Sequence, residues 1–140
     1  METIFQLSNL LVMPFWFLMI FVPRWRWTER IIGSPWIAAP AALLYATLVV
    51  PGMMDLLPAL ANPNLTDIAA LLGTPEGATV AWAHFVAFDL FVGRWVYVDS
   101  RTRNITAWLI SPTLFFCLMF GPLGLLIYLV IRLFFRESTD

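Results

Sequence analysis

The sequence has no lysine, one cysteine and one histidine, and charged residues make up only 12% of its 140 positions. Without a lysine amine, neither a Schiff base nor a Walker phosphate loop can form. The single cysteine, Cys117, excludes an internal disulfide, a zinc knuckle and an iron–sulfur cluster. One histidine, His84, cannot supply both axial ligands of a haem, and we predict no metal site. A net charge of −1 offers no basic patch, so we expect no nucleic-acid partner.

Apolar residues are abundant: 61% of the residues are hydrophobic, and the mean hydropathy is +0.82. A soluble domain of this size needs more charge on its surface. Four apolar segments are long enough to be helices that span a membrane. We therefore predict an all-α integral membrane bundle of one domain, residues 1–140, with four transmembrane helices and a short interfacial helix, Thr66–Leu72, in the second loop. The predicted spans are 4–22, 35–57, 76–98 and 105–134. We expect Ser34 and Thr74 to cap the second and third spans, Thr66 to cap the interfacial helix, and Pro51–Gly52 to interrupt the second span.

Arginines set the expected orientation of these spans. The first connection carries Arg24, Arg26 and Arg30, and the third carries Arg101 and Arg103, whereas the long second loop has none. If both of these connections lie on the cytoplasmic side, a chain with four spans has its N-terminus and its C-terminus on the outer side of the membrane. Arg132 and Arg136 near the C-terminus oppose that topology. Pro112 and Gly121–Pro122 predict that the fourth helix is bent.

The third predicted span holds three ionisable residues, His84, Asp89 and Arg94. Asp89 falls near its midpoint, where a carboxyl group costs a few kcal/mol to insert, so it is a candidate functional group. At 100° per residue, the three side chains point in different directions and cannot form one cluster. Neighbouring helices must therefore complete any site, and their available polar groups are Asn9, Tyr45, Ser111 and Thr113.

Aromatic residues accompany these groups along the helix. His84 shares a stripe with Phe88, Phe91 and Trp95, and Asp89 shares another with Trp82. Such stripes suit a flat apolar ligand, yet aromatic side chains also face lipid routinely. His84 could equally be a packing histidine, and Arg94 an anchor at the membrane interface. We expect Asp99 and Arg101 to be loop charges.

Two blocks of sequence resemble the neoxanthin synthase family of small four-helix membrane proteins, known from abscisic-acid-deficient plants and with bacterial relatives. The first is WAHFVAFDLFVGRWVYVDS, residues 82–100, and the second is FFCLMFGPLGLL, residues 115–126. The family pattern pairs a tryptophan and a histidine with an Asp-Leu-Phe triplet, a basic residue, a tyrosine and an aspartate. In this sequence those residues are Trp82, His84, Asp89 to Phe91, Arg94, Tyr97 and Asp99. Cys117 and the Pro122 to Gly124 turn match its second part.

The resemblance implies a carotenoid isomerase that opens an epoxide into an allene without net redox change. His84 and Asp89 would then be the acid–base pair and Arg94 their charge partner, with Trp82, Phe88, Phe91 and Trp95 against the ligand. The alternative is a non-catalytic pigment-binding or accessory subunit of a photosynthetic complex, holding a carotenoid or a chlorophyll. Either form implies a multi-pass protein of a bacterial inner or photosynthetic membrane, in contact with lipid and open to homo-oligomerisation. Proton or ion transport through Asp89 is a weaker third reading.

Overall fold

The computed structural model describes residues 1–135. All regular secondary structure in these residues is helical, and they contain no strand. The α-helices are α1 Glu2–Phe21, α2 Arg26–Gly33, α3 Ala39–Val49, α4 Met53–Ala61, α5 Leu65–Leu72, α6 Pro75–Thr102, α7 Ala107–Phe120 and α8 Pro122–Arg132. Short 3-10 turns, Pro35–Ala38 and Val50–Gly52, flank α3. Arg136, which opposed the predicted topology, lies outside the described residues. The all-α class is confirmed.

Helix boundaries in the first half follow the local sequence signals. Ser34 accepts a hydrogen bond from the Trp36 backbone N–H at 3.3 Å and so caps the turn that begins at Pro35. The second segment breaks at Pro51–Gly52 and continues as α4, as its prolines and glycine predict. Pro14 lies inside α1 without ending it.

The loops hold more helix than the sequence predicted. The first connection forms α2, where the buried Thr28 hydroxyl donates to the Val22 carbonyl at 2.9 Å. The surface helix α5 begins one residue earlier than expected, because Asn64 rather than Thr66 is its N-cap. The Asn64 side-chain oxygen accepts from the Asp67 backbone N–H at 2.9 Å.

The long helix α6 is the axis of the fold, and α1 runs parallel to it. Thr74 caps α6 as predicted, accepting from the Gly77 backbone N–H at 3.0 Å. Gly93 of α6 leaves room for the fully buried Trp16 ring of α1, which a Cβ atom at that position would overlap. Small residues allow this close helix approach in lipid as they do in water.

The fourth predicted span, 105–134, is two helices that reverse direction. Gly121, with φ +37° and ψ −93°, separates α7 from α8. A Cβ atom on Gly124 would overlap the backbone of Cys117, so the first turn of α8 folds back onto the last turn of α7. At its far end α8 meets the end of α6 from which α7 began, since Arg132 contacts Asp99. A single bent helix was the wrong expectation for this segment, because positive φ at Gly121 followed by proline turns the chain back.

Two helical stretches of the described chain are long and apolar enough to cross a membrane, Glu2–Phe21 and Pro35–Ala61. Only 22% and 11% of their most apolar windows are buried inside the molecule. Large apolar side chains therefore cover much of the outer surface, as Leu10, Phe17 and Trp108 illustrate. Exposed apolar area on this scale is typical of a surface that faces lipid or a partner.

Substituting Gly93→Ala should destabilise the packing of α1 on α6, because the added methyl group overlaps the buried Trp16 ring. We expect a loss of about 1–3 kcal/mol in the free energy of unfolding, typical of overpacking. Gly52→Ala is the matched control, since nothing lies within 4 Å of its Cβ position. Thermal unfolding in detergent measures both variants, and equal melting temperatures would contradict the packing.

Candidate functional site

A cavity of about 610 Å³ opens between α1, α6 and the turn that joins α7 to α8. We call it the Asp89 cavity. Its wall is mostly apolar, and its polar groups come from Asn9, Trp82, His84 and Asp89. The remaining lining residues are Val12, Met13, Trp16, Phe85, Val86, Phe88, Leu118, Met119, Phe120, Gly121 and Pro122. His84 and Asp89 thus reach one cavity although they point in different directions around α6.

The Asp89 carboxyl lies against the backbone of Gly121. A Cβ atom on Gly121 would lie 2.6 Å from Asp89 Oδ1, so glycine is required there both by this approach and by its positive φ. Within residues 1–135 the carboxyl makes no hydrogen bond and no ion pair. Buried polar groups are normally satisfied, so a half-buried carboxyl left free on a cavity wall is available to a ligand.

His84 is held by aromatic rings. Its imidazole stacks on Phe88 with ring centroids 4.8 Å apart and meets Tyr45 edge-on at 5.3 Å. No side chain or backbone group in the described part of the chain hydrogen-bonds to this ring. The expected alternative, a hydrogen-bonded packing histidine, therefore lacks its hydrogen bond, and the ring nitrogens remain available for chemistry.

Asn9 and Trp82 form the polar rim of the same cavity. The Trp82 indole N–H donates to the Asn9 side-chain oxygen at 2.9 Å, and the Asn9 amide donates to the Phe5 carbonyl at 3.2 Å. Phe5 also packs on the Trp82 ring at 5.3 Å. Asn9 is therefore one of the neighbouring polar groups that the sequence predicted would complete the site.

Arg94 is not brought to Asp89 or His84. Its guanidinium donates to the Gly33 carbonyl at the end of α2, and its buried Nε has no hydrogen-bond partner among residues 1–135. The predicted role of charge partner to Asp89 has no geometric support, because the side chain is taken up by another element. Arg94 instead ties the first connection to α6.

Two of the four predicted aromatic ligand contacts also lie elsewhere. Phe88 and Trp82 line the Asp89 cavity, but Phe91 is exposed outside it. Trp95 packs edge-on against Tyr128 at 5.5 Å and lies under the Arg132 guanidinium. Among the predicted polar neighbours, Ser111 lines a different groove, and the Thr113 hydroxyl bonds back to its own helix.

Asp99 is the centre of a polar cluster that the sequence analysis missed. Its carboxylate accepts from Arg103 Nε at 2.9 Å, from Arg132 Nε at 2.8 Å and from the Tyr128 hydroxyl. We call these four residues the Asp99 cluster. The spacing of Asp99 and Arg103 by four residues was the available signal, since it places both on one face if the helix continues. The expectation that Asp99 is a loop charge was wrong.

The charge on Asp99 is stabilised by these partners. Burial alone would raise the pKa of Asp99, but hydrogen bonds from Arg132, Tyr128 and Arg103 lower that pKa from 3.8 to about 2. Asp99 follows the predicted span 76–98, so this ion cluster lies at the end of the span. Its contribution to stability is complete above pH 3.8 and is lost as the pH falls through about 2.

A second, larger groove lies away from His84 and Asp89. It measures about 1290 Å³ and runs between the end of α1 and the start of α7. Its mostly apolar wall includes five aromatic side chains, Phe17, Phe21, Trp25, Trp108 and Phe115, together with Arg24 and Ser111. Size alone favours this groove, but chemistry favours the Asp89 cavity, which holds both the carboxyl and the imidazole.

The sequence model of the ABA DEFICIENT 4-like family matches residues 3–128, which include the two sequence blocks 82–100 and 115–126. The chain belongs to this family. It is 26% identical over 138 residues to Protein ABA DEFICIENT 4, chloroplastic, of Arabidopsis thaliana. That match covers 94% of this chain but 61% of the plant protein, so the chain spans under two thirds of that relative. No solved structure matches.

In this ABA DEFICIENT 4-like protein, Asp99→Asn should be strongly destabilising. The substitution removes the negative charge that accepts from Arg103, Arg132 and Tyr128 at this part-buried site, and losing hydrogen bonds to a charged group costs about 1.5–3 kcal/mol. The matched control is Glu29→Gln, which removes the exposed ion pair with Arg101 and should cost at most about 1 kcal/mol.

Denaturant unfolding in micelles measures both variants. Similar losses for Asp99→Asn and Glu29→Gln would contradict the structural role of the Asp99 cluster.

Proposed function

We propose that this protein is a multi-pass membrane protein that isomerises an epoxy-carotenoid, with Asp89 and His84 as its acid–base pair. The observation that carries the proposal is the Asp89 carboxyl, which no group in residues 1–135 pairs, on the wall of the same apolar cavity as the His84 imidazole. Membership of the ABA DEFICIENT 4-like family supports the carotenoid class of substrate.

A membrane location is supported by the apolar surface of the helices. Two helical stretches have the length and composition of spans, and large apolar side chains point outward along them. Helix α6 has 28 residues and is about 42 Å long, enough to cross a hydrocarbon core of about 30 Å. An apolar substrate dissolved in that core could reach the Asp89 cavity without passing through water.

The size of the Asp89 cavity fits one end of a carotenoid. A volume of about 610 Å³ lies within the usual range of about 300–1,000 Å³ for small-ligand pockets. A whole carotenoid is about as long as the hydrocarbon core is thick, about 30 Å. The cyclic end group, which carries the epoxide, would enter between Phe88 and Trp82, and the polyene chain would extend into lipid.

The proposed reaction needs one proton donor and one proton acceptor. As the epoxide C–O bond breaks, the protonated Asp89 carboxyl gives its proton to the oxygen, which becomes a hydroxyl group. His84 takes a proton from the neighbouring carbon, and the electron pair of that C–H bond becomes the new double bond. The proton then returns from the imidazolium to the carboxylate. One proton is added and one removed, so no oxidant or reductant is required. Arg94 has no part in this scheme.

Asp89→Asn should abolish isomerisation while pigment binding persists, because the amide keeps the size of the carboxyl but cannot donate an acidic proton. The measurement is the carotenoid product profile of a host that makes an epoxy-carotenoid and expresses the variant. Asp55→Asn, a change at an exposed acid of α4, is the control and should leave the product unchanged. Undiminished product from Asp89→Asn would refute the proposal.

A second candidate is pigment binding without catalysis. It is favoured by the larger groove with its aromatic side chains and by the His84 nitrogens, which accept or donate no hydrogen bond within the described part of the chain. In this reading the protein is an accessory subunit of a photosynthetic complex, and His84 ligates a chlorophyll magnesium or packs on a carotenoid.

His84→Phe separates this second candidate from the enzyme. If His84 ligates a pigment, the variant loses co-purified pigment, seen as lower visible absorbance of the detergent-purified protein. Phe preserves the ring stacking on Phe88, so a general loss of packing is not expected. An unchanged absorption spectrum would count against pigment ligation by His84.

A further inference from the structure

We propose that α7 and α8 form a re-entrant hairpin, which enters the membrane, turns near mid-depth and leaves on the side it came from. The chain then crosses the membrane three times, through α1, the stretch from Pro35 to Ala61, and α6. This inference rests on the membrane location proposed above and is independent of any carotenoid chemistry.

The lengths of the two helices exclude a crossing by either one. Helix α7 has 14 residues and is about 21 Å long, and α8 has 11 residues and is about 16 Å long. A hydrocarbon core of about 30 Å exceeds both. Placed end to end, the two helices would cross, so the direction of α8 decides the topology.

Contacts at the far end of α8 show that it runs back. Arg132, its last residue, binds Asp99, and the carbonyl of Phe135 accepts from Arg103 Nη1 at 3.0 Å. Arg103 lies four residues before the start of α7, so the hairpin begins and ends at one end of α6. The tip of the hairpin, Gly121, lies beside Asp89. Asp89 precedes Asp99 by ten residues, which is about 15 Å along α6.

The charges agree with this arrangement. Six arginines lie at that end of the molecule, namely Arg24, Arg26, Arg30, Arg101, Arg103 and Arg132. At the opposite end, residues 1–135 contribute the acids Glu2, Asp55, Asp67 and Glu76 but no arginine. Arginine-rich connections stay on the cytoplasmic side. A fourth span would carry Arg132 to the other side, whereas the hairpin keeps it with the other arginines.

The backbone at the tip also satisfies the rules of the bilayer interior. Non-helical backbone at membrane depth is tolerated where protein buries it or where it lines a cavity. Gly121 is buried and lines the Asp89 cavity. Broken helices of this kind form ligand sites near the midplane of many transporters, and here the break faces the free carboxyl of Asp89.

Cysteine accessibility tests this topology in the full-length protein. Cys117→Ala provides a background without the native thiol, and Trp27→Cys, Asn62→Cys and Phe134→Cys are introduced one at a time. A membrane-impermeant maleimide is applied to right-side-out and to inverted vesicles. We expect positions 27 and 134 to label in the same vesicle orientation and position 62 in the opposite one.

Labelling of position 134 together with position 62 would overturn the hairpin. Equal labelling of all three positions in both orientations would overturn the membrane location itself, which is a different failure. A C-terminal fusion covers the case of poor labelling at position 134. In a bacterial host we expect a fluorescent green fluorescent protein fusion and an inactive alkaline phosphatase fusion, and the reverse result would also overturn the hairpin.

Discussion

The carboxylate of Asp99 is the contact on which the rest of the structure depends. It ties the end of α6 to Arg103 in the following loop and to Tyr128 and Arg132 of α8. Polar contacts of this kind between helices fix their register more specifically than apolar contacts do. Because Asp99 fixes where α8 ends, and Gly121 fixes where α7 turns, the position of the hairpin along α6 has little freedom.

This position of the α7–α8 hairpin along α6 also creates the Asp89 cavity. With its base fixed at Asp99, the hairpin reaches as far as Asp89 and presents the Gly121 backbone there. The two sequence blocks that resemble the family, 82–100 and 115–126, contact each other at this tip, through Asp89 and Gly121. A polar carboxyl and an irregular backbone, both costly in lipid, share one protected space. The proposed reaction would take place in this cavity.

Local signals in the sequence predicted much of the fold, and long-range contacts accounted for the failures. The caps at Ser34 and Thr74 and the break at Pro51–Gly52 depend on neighbouring residues, and all three are confirmed. The reversal at Gly121 looked like a bend, because proline and glycine predict a break but not the direction in which the chain continues. Asp99 looked like a loop charge because its partners on α8 are about 30 residues away.

The candidate site shows the same division. Helical periodicity placed His84 and Asp89 on different faces, and only the hairpin tip makes their cavity common. The distance between spin labels at Trp108 and Leu133, both highly exposed, tests this register most directly. Double electron–electron resonance measures it. A straight helix separates these positions by about 38 Å. The hairpin predicts about half that distance or less, and a distance near that of the straight helix would contradict it.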